Sequence, residues 1–494
     1  MALNDYILTL LLTVPLAGAF VVWLLPQKGK VIQGFTLLVT LLTLAMTLHL
    51  PAHFDAARTG FQYEQKLPWI ESLGINYHVG VDGLSLWLVV LTGLLAPIGV
   101  LASWNAIQKR EKQFYALFLV QQTAMIGVFV SLDLILYYGF WELSLIPMAA
   151  LIAMHGDKHG GKAALKFFTY TFIPSAPLLV AILWLYGQTR TFDYETLRAA
   201  IATQSFSSCS LYWVALAFLF AFAVKVPVFP LHGWLADTFV EAPTALAMVV
   251  AGKLGLYSML RFHIGLFPQQ ARAAAPWVVG LAVIGLLYGA CMALAQRDMK
   301  RLLAFSTVSH LSFCTLGLYS FVLLAADGGV YQILNHGISG AAIFVLMGVL
   351  YERYGSYEIN HYGGLAGKLP WLATFFVVTS LSLVGLPMLN GFIGEFLVLS
   401  GSFPAYPRWV AAATLGVILS AAYMLWLVQR IFYGKENKQL PSAPDLGLRE
   451  HLILWPLAAL MLVMGVATHA WLPAIHSANE TTYGSSTTGN GGAR

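Results

Sequence analysis

The sequence is poor in charged residues and in cysteine. Only 10% of its 494 residues are Asp, Glu, Lys or Arg and 59% are apolar, whereas an average soluble domain is roughly 25% charged. A water-soluble surface cannot be built from this composition. The three cysteines, Cys209, Cys291 and Cys314, stand singly and share no ligand spacing, which argues against an iron–sulfur or zinc motif. We expect them to be packing residues.

The N-terminus also lacks a basic segment and a small-residue cleavage site, so its first apolar run is predicted to be a retained helix. Similar runs recur along the chain, and a hydrocarbon core of roughly 30 Å needs about twenty helical residues to cross it. The sequence therefore predicts an all-α polytopic membrane protein with about fourteen transmembrane helices. The predicted spans are 4–25, 31–50, 83–103, 113–130, 132–154, 163–186, 211–231, 244–266, 274–295, 301–320, 329–350, 370–402, 409–431 and 451–472.

The basic residues are distributed unevenly between the two sides of these spans. Loops after odd-numbered spans hold seventeen of the 27 Lys and Arg residues, whereas the opposite side holds eight. The positive-inside rule then places both chain ends outside the cytoplasm, in the periplasm of a bacterial inner membrane. The eight residues are Arg58, Lys66, Arg190, Arg198, Arg261, Arg272, Arg408 and Arg494.

Two five-helix units are predicted, 113–266 and 274–431, whose spans start about 160 to 170 residues apart. Because five is odd, the second unit must enter the membrane from the other face, which is the inverted-repeat arrangement of many ion-moving proteins. The fourth helix of each unit is interrupted by Pro and Gly, in AVKVPVFPLHGWL (223–235) and in GLPMLNGFIGEF (385–396). Matched interruptions of this kind point to an ion site.

Six ionisable residues lie inside the apolar runs. An ionised side chain at the centre of a transmembrane helix costs about 2.5 to 3.5 kcal/mol even on lenient scales, so such residues call for a role or for partners. We expect a proton relay, in which Glu142 controls Lys225 and the proton then passes through Lys253 and one or both histidines to the last residue. The six are Glu142, Lys225, Lys253, His310, His336 and Glu395.

Two simpler interpretations remain open. Glu142 and Lys225 can be a structural ion pair, and all of the buried charges can serve only to hold helices together in a scaffold. His155 and His159 have i,i+4 spacing, but the glycines around them favour a cytoplasmic loop over a metal site. A short interfacial helix is predicted over 192–203, and the low-complexity segment 477–494 is predicted to be a flexible tail.

The motifs together resemble the antiporter-like membrane-arm subunits of respiratory complex I, the proton-pumping NADH:quinone oxidoreductase. The resemblance spans nearly the whole chain, and Glu at position 395 resembles the M-type members, where the L and N types carry Lys. It is carried by GVDGLSLWLVVLT (80–92), GFWELSLIP (139–147), AVKVPVFPLHGWL (223–235), STVSHLS (306–312), LNHG (334–337) and GFIGEF (391–396).

The resemblance implies a proton-translocating subunit that carries no cofactor and no redox centre itself. NADH, FMN, iron–sulfur clusters and quinone would belong to other subunits, and L-type and N-type neighbours would be its partners. Three relatives share this pattern and remain alternatives: a subunit of an Mrp-type cation/proton antiporter, of a membrane-bound hydrogenase, or of a ferredoxin-fed photosynthetic complex.

Overall fold

The computed structural model describes residues 3–27, 29–203, 206–246 and 253–484. Within these residues, twelve helices are long and apolar enough to cross a membrane. The helices are α1 (Ile7–Leu24), α2 (Gly29–Ala52), α3 (Gly83–Ser103), α4 (Glu111–Val130), α5 (Leu134–Leu143), α6 (Leu145–His155), α7 (Gly160–Thr189), α8 (Tyr194–Thr203), α9 (Ser208–Lys225), α10 (Leu235–Glu241), α11 (Lys253–Ser258), α12 (Pro268–Leu294), α13 (Met299–Tyr319), α14 (Leu323–Tyr354), α15 (Pro370–Val384), α16 (Asn390–Ser402), α17 (Pro407–Val428), α18 (Leu448–Val466) and α19 (Leu472–Gly484).

Two of the predicted spans are not among the twelve long helices. The span 370–402 is divided into α15 and α16. The span 244–266 contains residues 247–252, which lie outside the described residues, followed by α11 and a π-helical stretch, Met259–Ile264. Helices α5 and α6 count as one span, Leu134–His155.

Helices α13 and α14 form the centre of the molecule. In the most apolar 18-residue stretch of α13 every residue is buried, and in that of α14 94% are buried. In the corresponding stretches of α1 and α7 less than half of the residues are buried. Helix α13 packs against α12 and α14, and α14 packs against α16. Side chains in the middle of the two central helices are therefore shielded by the surrounding helices.

The predicted all-α fold was incomplete, because the loop after α2 contains an antiparallel β-hairpin. Its strands are β1 (Gln62–Ile70) and β2 (Ile75–Val81). The hairpin is fixed to the start of α8 by ionic contacts. Nδ1 of His78 and Nζ of Lys66 lie 2.7 and 2.8 Å from Oδ2 of Asp193, which precedes α8. Within the hairpin, Nε2 of His78 lies 2.8 Å from Oε1 of Glu64 on β1. This paired segment lies on the side where both chain ends were predicted.

Several smaller predictions can be compared with the structure. The helix expected over 192–203 is α8. Residues 477–484, predicted as the start of a flexible tail, are instead the last residues of α19, and 485–494 lie outside the described residues. Cys314 is buried as expected, but Cys209 and Cys291 are exposed, so the packing role was wrong for these two.

Candidate functional site

Glu142 lies where one membrane-crossing segment changes from α5 to α6. The two helices meet at Ser144, and Pro147 has no amide hydrogen to continue the helical bonding of the preceding turn. The carboxylate is half-buried, and its Oε1 has no hydrogen-bond partner among the described residues. The sequence thus places an acidic group at a local irregularity inside the bilayer.

Lys225 is the last residue of α9, immediately before the first interruption. Its side chain is 9% exposed, and its Nζ lies 5.1 Å from the ring centre of Trp141 and 5.7 Å from that of Phe167. Aromatic faces stabilise a buried ammonium group through cation–π attraction. The indole Nε1 of Trp234 donates to the carbonyl of Val224 at 2.9 Å, so it satisfies a backbone group near the break.

Glu142 and Lys225 stand close together without forming an ion pair. Trp141, which contacts the ammonium group, is the neighbour of Glu142 in sequence, but no oxygen of Glu142 lies within 4.0 Å of a basic nitrogen in the part of the chain that the structure describes. The structure therefore has these two groups in a separated arrangement.

A glycine brings Lys253 towards the first interruption. A Cβ atom at Gly255 would lie 2.7 Å from Cγ2 and 2.8 Å from the backbone nitrogen of Val226, and 3.1 Å from the carbonyl carbon of Lys225. Only glycine permits this approach between α11 and the end of α9. Lys253, the first residue of α11, is 4% exposed and consequently lies beside the break.

A second glycine brings Lys253 against the central helix α14. A Cβ atom at Gly337 would lie 3.1 Å from Cε of Lys253 and 2.5 Å from Cδ2 of Leu91. The side chain of Lys253 therefore passes directly over the residue that follows His336. Lys253 also lines a cavity of about 20 Å³ together with Gln121, Gln122 and Thr92.

The two predicted histidines and Glu395 form a continuous cluster. The ring centres of His310 and His336 are 5.6 Å apart. Nδ1 of His310 lies 3.6 Å from Oε1 of Glu395. Each of the three side chains is at most 6% exposed. Three residues from three helices, separated by up to 85 positions in sequence, are thus brought into one line.

The second interruption is held open by polar contacts. Gly385 has φ +78°, and a Cβ atom there would lie 2.7 Å from Oε2 of Glu395. Ser382 donates to Oδ1 of Asn390 at 2.6 Å, and Nδ2 of Asn335 donates to the carbonyl of Asn390 at 2.7 Å. These contacts connect the start of α16 to the end of α15 and to α14, and the break itself faces Glu395.

The six predicted residues therefore fall into two groups joined by Lys253. Glu142 and Lys225 lie on one side, at the first break, and His336, His310 and Glu395 lie on the other. Lys253 packs against the residue next to His336, the rings of His336 and His310 are 5.6 Å apart, and His310 lies 3.6 Å from Glu395. Groups of these types can accept and donate protons in turn, and a line of them through the protein is chemically suited to carry protons.

Sequence reasoning missed two polar neighbours of this cluster. The hydroxyl of Tyr423 lies 3.4 Å from Nε2 of His310, and Nε2 of Gln332 donates to Oε1 of Glu395 at 3.4 Å. Both are polar residues inside apolar runs, and this signal could have identified them, although it does not reveal their partners.

A buried ion pair was also missed. Arg261 was counted with the basic residues of one membrane side although it falls within the predicted span 244–266. It lies in the π-helical stretch and is 3% exposed, with its Nη2 2.5 Å from Oδ2 of Asp82. Asp82 also caps α3, and Asp133 caps α5, as expected for acidic residues at span edges. The pair was not predicted, because its two residues are 179 positions apart in the sequence.

A metal site is not formed by the described residues. They contain no group of three or more His, Cys, Asp or Glu that could hold a metal ion. His155 ends α6 and His159 precedes α7, so the two residues lie in the connection between helices.

Two family models together match residues 8–420 of the chain. The model described as NADH:quinone oxidoreductase/Mrp antiporter, transmembrane region, matches residues 131–420. The model of the amino terminus of NADH-ubiquinone oxidoreductase chain 4 matches residues 8–132.

Relatives described as subunit M of NADH-quinone oxidoreductase are similar to this chain over more than nine-tenths of its length. The NADH-quinone oxidoreductase subunit M of Escherichia coli K12 is 38% identical over 491 residues, covering 95% of this chain and 96% of the relative. The subunit M of Rhodobacter capsulatus is 39% identical over 479 residues, covering 93% of each chain.

Solved structures share the fold. A chain of respiratory complex I from Thermus thermophilus with bound NADH has a TM-score of 0.89 and 31% identity, and the match covers 97% of this chain and 99% of that chain. A chain of the Mrp complex from Dietzia has the same TM-score at 22% identity, covering 98% of both chains. This second likeness concerns the fold alone.

Proposed function

The chain belongs to the subunit M family of NADH-quinone oxidoreductase, and from that membership we propose that its six buried ionisable residues are the relay by which it moves protons. It is an antiporter-like, proton-translocating subunit of the membrane arm of complex I. The observation that carries the residue assignment is the contact sequence from Lys253 through His336 and His310 to Glu395.

The order of contacts indicates which of the two histidines receives the proton first. Lys253 packs against the residue after His336, whereas His310 is the histidine beside Glu395. A proton leaving Lys253 therefore reaches His336 first and His310 second. The cavity beside Lys253, about 20 Å³, is large enough for one water molecule, since about 10 to 15 Å³ suffices.

Glu142 and Lys225 act as the control element at the start of the relay. At 4 Å and an effective dielectric constant of about 20, an ion pair between them would be worth about 4 kcal/mol. When the two groups separate, as they are in this structure, Lys225 loses that stabilisation and releases its proton towards Lys253. When they approach, Lys225 is reloaded.

The two interruptions, after α9 and between α15 and α16, support an inverted repeat, and the predicted spans 244–266 and 370–402 would bring the twelve long helices to fourteen. Helices at matched places in the two units begin about 160 residues apart: Glu111, Leu134, Gly160 and Ser208 in the first, and Pro268, Met299, Leu323 and Pro370 in the second. The distribution of basic residues supports a bacterial inner-membrane protein with both ends in the periplasm.

The redox chemistry that drives the relay belongs to other subunits. NADH, FMN, iron–sulfur clusters and quinone are bound there, and the L-type and N-type antiporter-like subunits are the expected neighbours in the membrane arm. This chain supplies proton-carrying groups and the broken helices that position them.

Replacing Glu142 with Gln tests the relay against a scaffold role. In proteoliposomes containing the whole complex, E142Q should reduce NADH-driven proton flux to a small fraction of wild type, because Lys225 loses its controlling charge while the shape of the side chain is kept. Glu480→Gln, an exposed carboxylate on α19, is the control. Undiminished flux in an assembled E142Q complex would favour the scaffold.

A further inference from the structure

Two adjacent glutamines are buried near the middle of α4. Gln121 and Gln122 are only 4% and 3% exposed. Oε1 of Gln121 and both polar side-chain atoms of Gln122 have no hydrogen-bond partner among the described residues. Buried polar atoms without a partner are rare in folded proteins and commonly mark a place where water or an ion binds. The two side chains are therefore suited to a ligand with hydrogen-bonding groups.

Both glutamines line the cavity beside Lys253. Its volume of about 20 Å³ fits one water molecule, which needs about 10 to 15 Å³, and is too small for an organic ligand. Of the described residues that line it, Lys253 alone is ionisable and Thr92 is the one other polar side chain. The site therefore places three unpartnered amide atoms around a water-sized space next to a relay residue.

The helical register of α4 explains why this space is enclosed. Phe118 and Met125 also line the cavity, and they stand one turn before and one turn after the glutamine pair. Residues three and four apart lie on the same face of a helix. Two bulky apolar side chains thus close the cavity above and below the two carboxamides, and α3 supplies Leu95 and Ala96 as a further wall.

The donors and acceptors around the cavity are complementary to a water molecule. A lysine ammonium group has donors and no acceptor, whereas a carboxamide oxygen is an acceptor. Oγ1 of Thr92 donates to the carbonyl of Leu88 at 2.8 Å, so its oxygen has only acceptor capacity left. A water here would accept a hydrogen bond from the ammonium group and donate its two hydrogens to the carboxamide oxygens, which matches the roughly three bonds that buried waters make.

We propose that Gln121 and Gln122 are positioning residues that hold one water molecule against Lys253, and that this water retains the proton on Lys253 until His336 accepts it. A water that gives both hydrogens to carboxamide oxygens directs its lone pairs at the lysine and favours the charged amine. The glutamines act on the proton through this water and do not carry it. The proposal rests on the proposed role of Lys253 in the relay.

The test compares three variants of the assembled complex in proteoliposomes. Gln121→Met with Gln122→Met keeps the length of both side chains but leaves only weakly accepting sulfur atoms. Gln121→Asn with Gln122→Asn keeps both carboxamides. Gln33→Met is the matched control, because it removes another buried glutamine, on α2, whose Nε2 donates to the carbonyl of Trp104 at 2.9 Å and which does not line the cavity.

The measurements are NADH-driven proton uptake and a high-resolution cryo-EM map of the wild type and of the double Met variant. The wild-type map should show a water between the two carboxamides and Nζ of Lys253, and the double Met map should not. A hydrogen bond to a charged group changes an equilibrium by about tenfold to a hundredfold, so uptake in the double Met variant should fall at least about tenfold. The double Asn variant should retain most of the wild-type rate, and Gln33→Met should retain all of it.

A wild-type map without this water, or undiminished uptake in the double Met variant, would overturn the proposal. An equal loss of uptake in the double Asn variant would also overturn it, because the glutamines would then serve packing alone. Blue-native electrophoresis establishes assembly. If the double Met variant does not assemble, Gln122→Met, which removes two of the three unpartnered atoms, is compared in its place.

Lys253→Met separates failure of this water site from failure of the relay. Reduced uptake in Lys253→Met beside undiminished uptake in the double Met variant would overturn the water site and leave the relay intact. Undiminished uptake in Lys253→Met would overturn the role of Lys253 in the relay, and the water site would fall with it.

Discussion

Replacing Gly337 with Ala should interrupt the relay at its centre. The new methyl group would lie 3.1 Å from Cε of Lys253 and 2.5 Å from Cδ2 of Leu91. Carbon atoms pack at about 3.5 to 4.0 Å, so one or both side chains must move by roughly 1 Å. Overpacking of this kind costs about 1 to 3 kcal/mol, and a misplacement of about 1 Å can lower a rate about a hundredfold.

The measurement is NADH-driven proton uptake into proteoliposomes containing the G337A complex, normalised to the amount of assembled complex. We expect a decrease of tenfold or more, because Lys253 is pushed away from His336. Gly340→Ala is the matched control on the same helix. Its methyl group would lie no closer than 3.6 Å to any neighbouring atom, an ordinary contact with Cε1 of His336, and its proton uptake should stay within about twofold of wild type.

A further variant separates packing from proton transfer. Combining G337A with Leu91→Ala removes the tighter contact but keeps the one with Lys253. Assembly should improve while proton uptake stays low. Recovery of uptake to the wild-type level in this double variant, or equal uptake by G337A and G340A, would refute the placement of Lys253 next to His336.

Three further outcomes are expected. Tyr423→Phe should slow proton uptake severalfold without affecting assembly, because it removes only the hydroxyl beside a relay histidine, and an unchanged rate would show that this hydroxyl has no part. Arg261→Met should lower the unfolding temperature of the complex more than Arg261→Met combined with Asp82→Asn, since an unpaired buried charge costs about 3 to 5 kcal/mol; equal losses would contradict the ion pair. Burial lowers the pKa of His78, but its hydrogen bonds with Asp193 and a neighbouring glutamate outweigh this and raise the pKa. Its stabilising contribution is therefore complete below about pH 6.5, the unfolded value, and is lost as pH rises through the higher folded-state pKa. The difference in unfolding temperature between wild type and His78→Gln should shrink at alkaline pH, and a constant difference would refute the sign.

Most membrane-crossing helices were predictable because each depends on a local property, a run of about twenty apolar residues. The interruptions at 226–234 and 385–389 were predictable for the same reason, since Pro and Gly act on their own backbone. The hairpin over 62–81 was not, because the residues that anchor it, Asp133 before α5 and Asp193 before α8, lie far from it in the sequence.

The identity of the relay residues was visible as ionisable groups inside apolar runs, but their order was not. His310 and Glu395 approach each other because α13 and α16 both pack around α14, and no sequence pattern specifies that arrangement. The contact of Lys253 with α14 depends on Gly337, whose small size matters only once the helices are assembled.

If the relay operates, buried carboxylates change protonation as the complex turns over. Infrared difference spectra of the reconstituted complex, recorded before and after addition of NADH and quinone, measure this directly through the C=O stretch of protonated carboxyl groups. We expect a band that shifts in D₂O and that is lost in Glu395→Gln. Identical difference spectra for wild type and Glu395→Gln during turnover would contradict it.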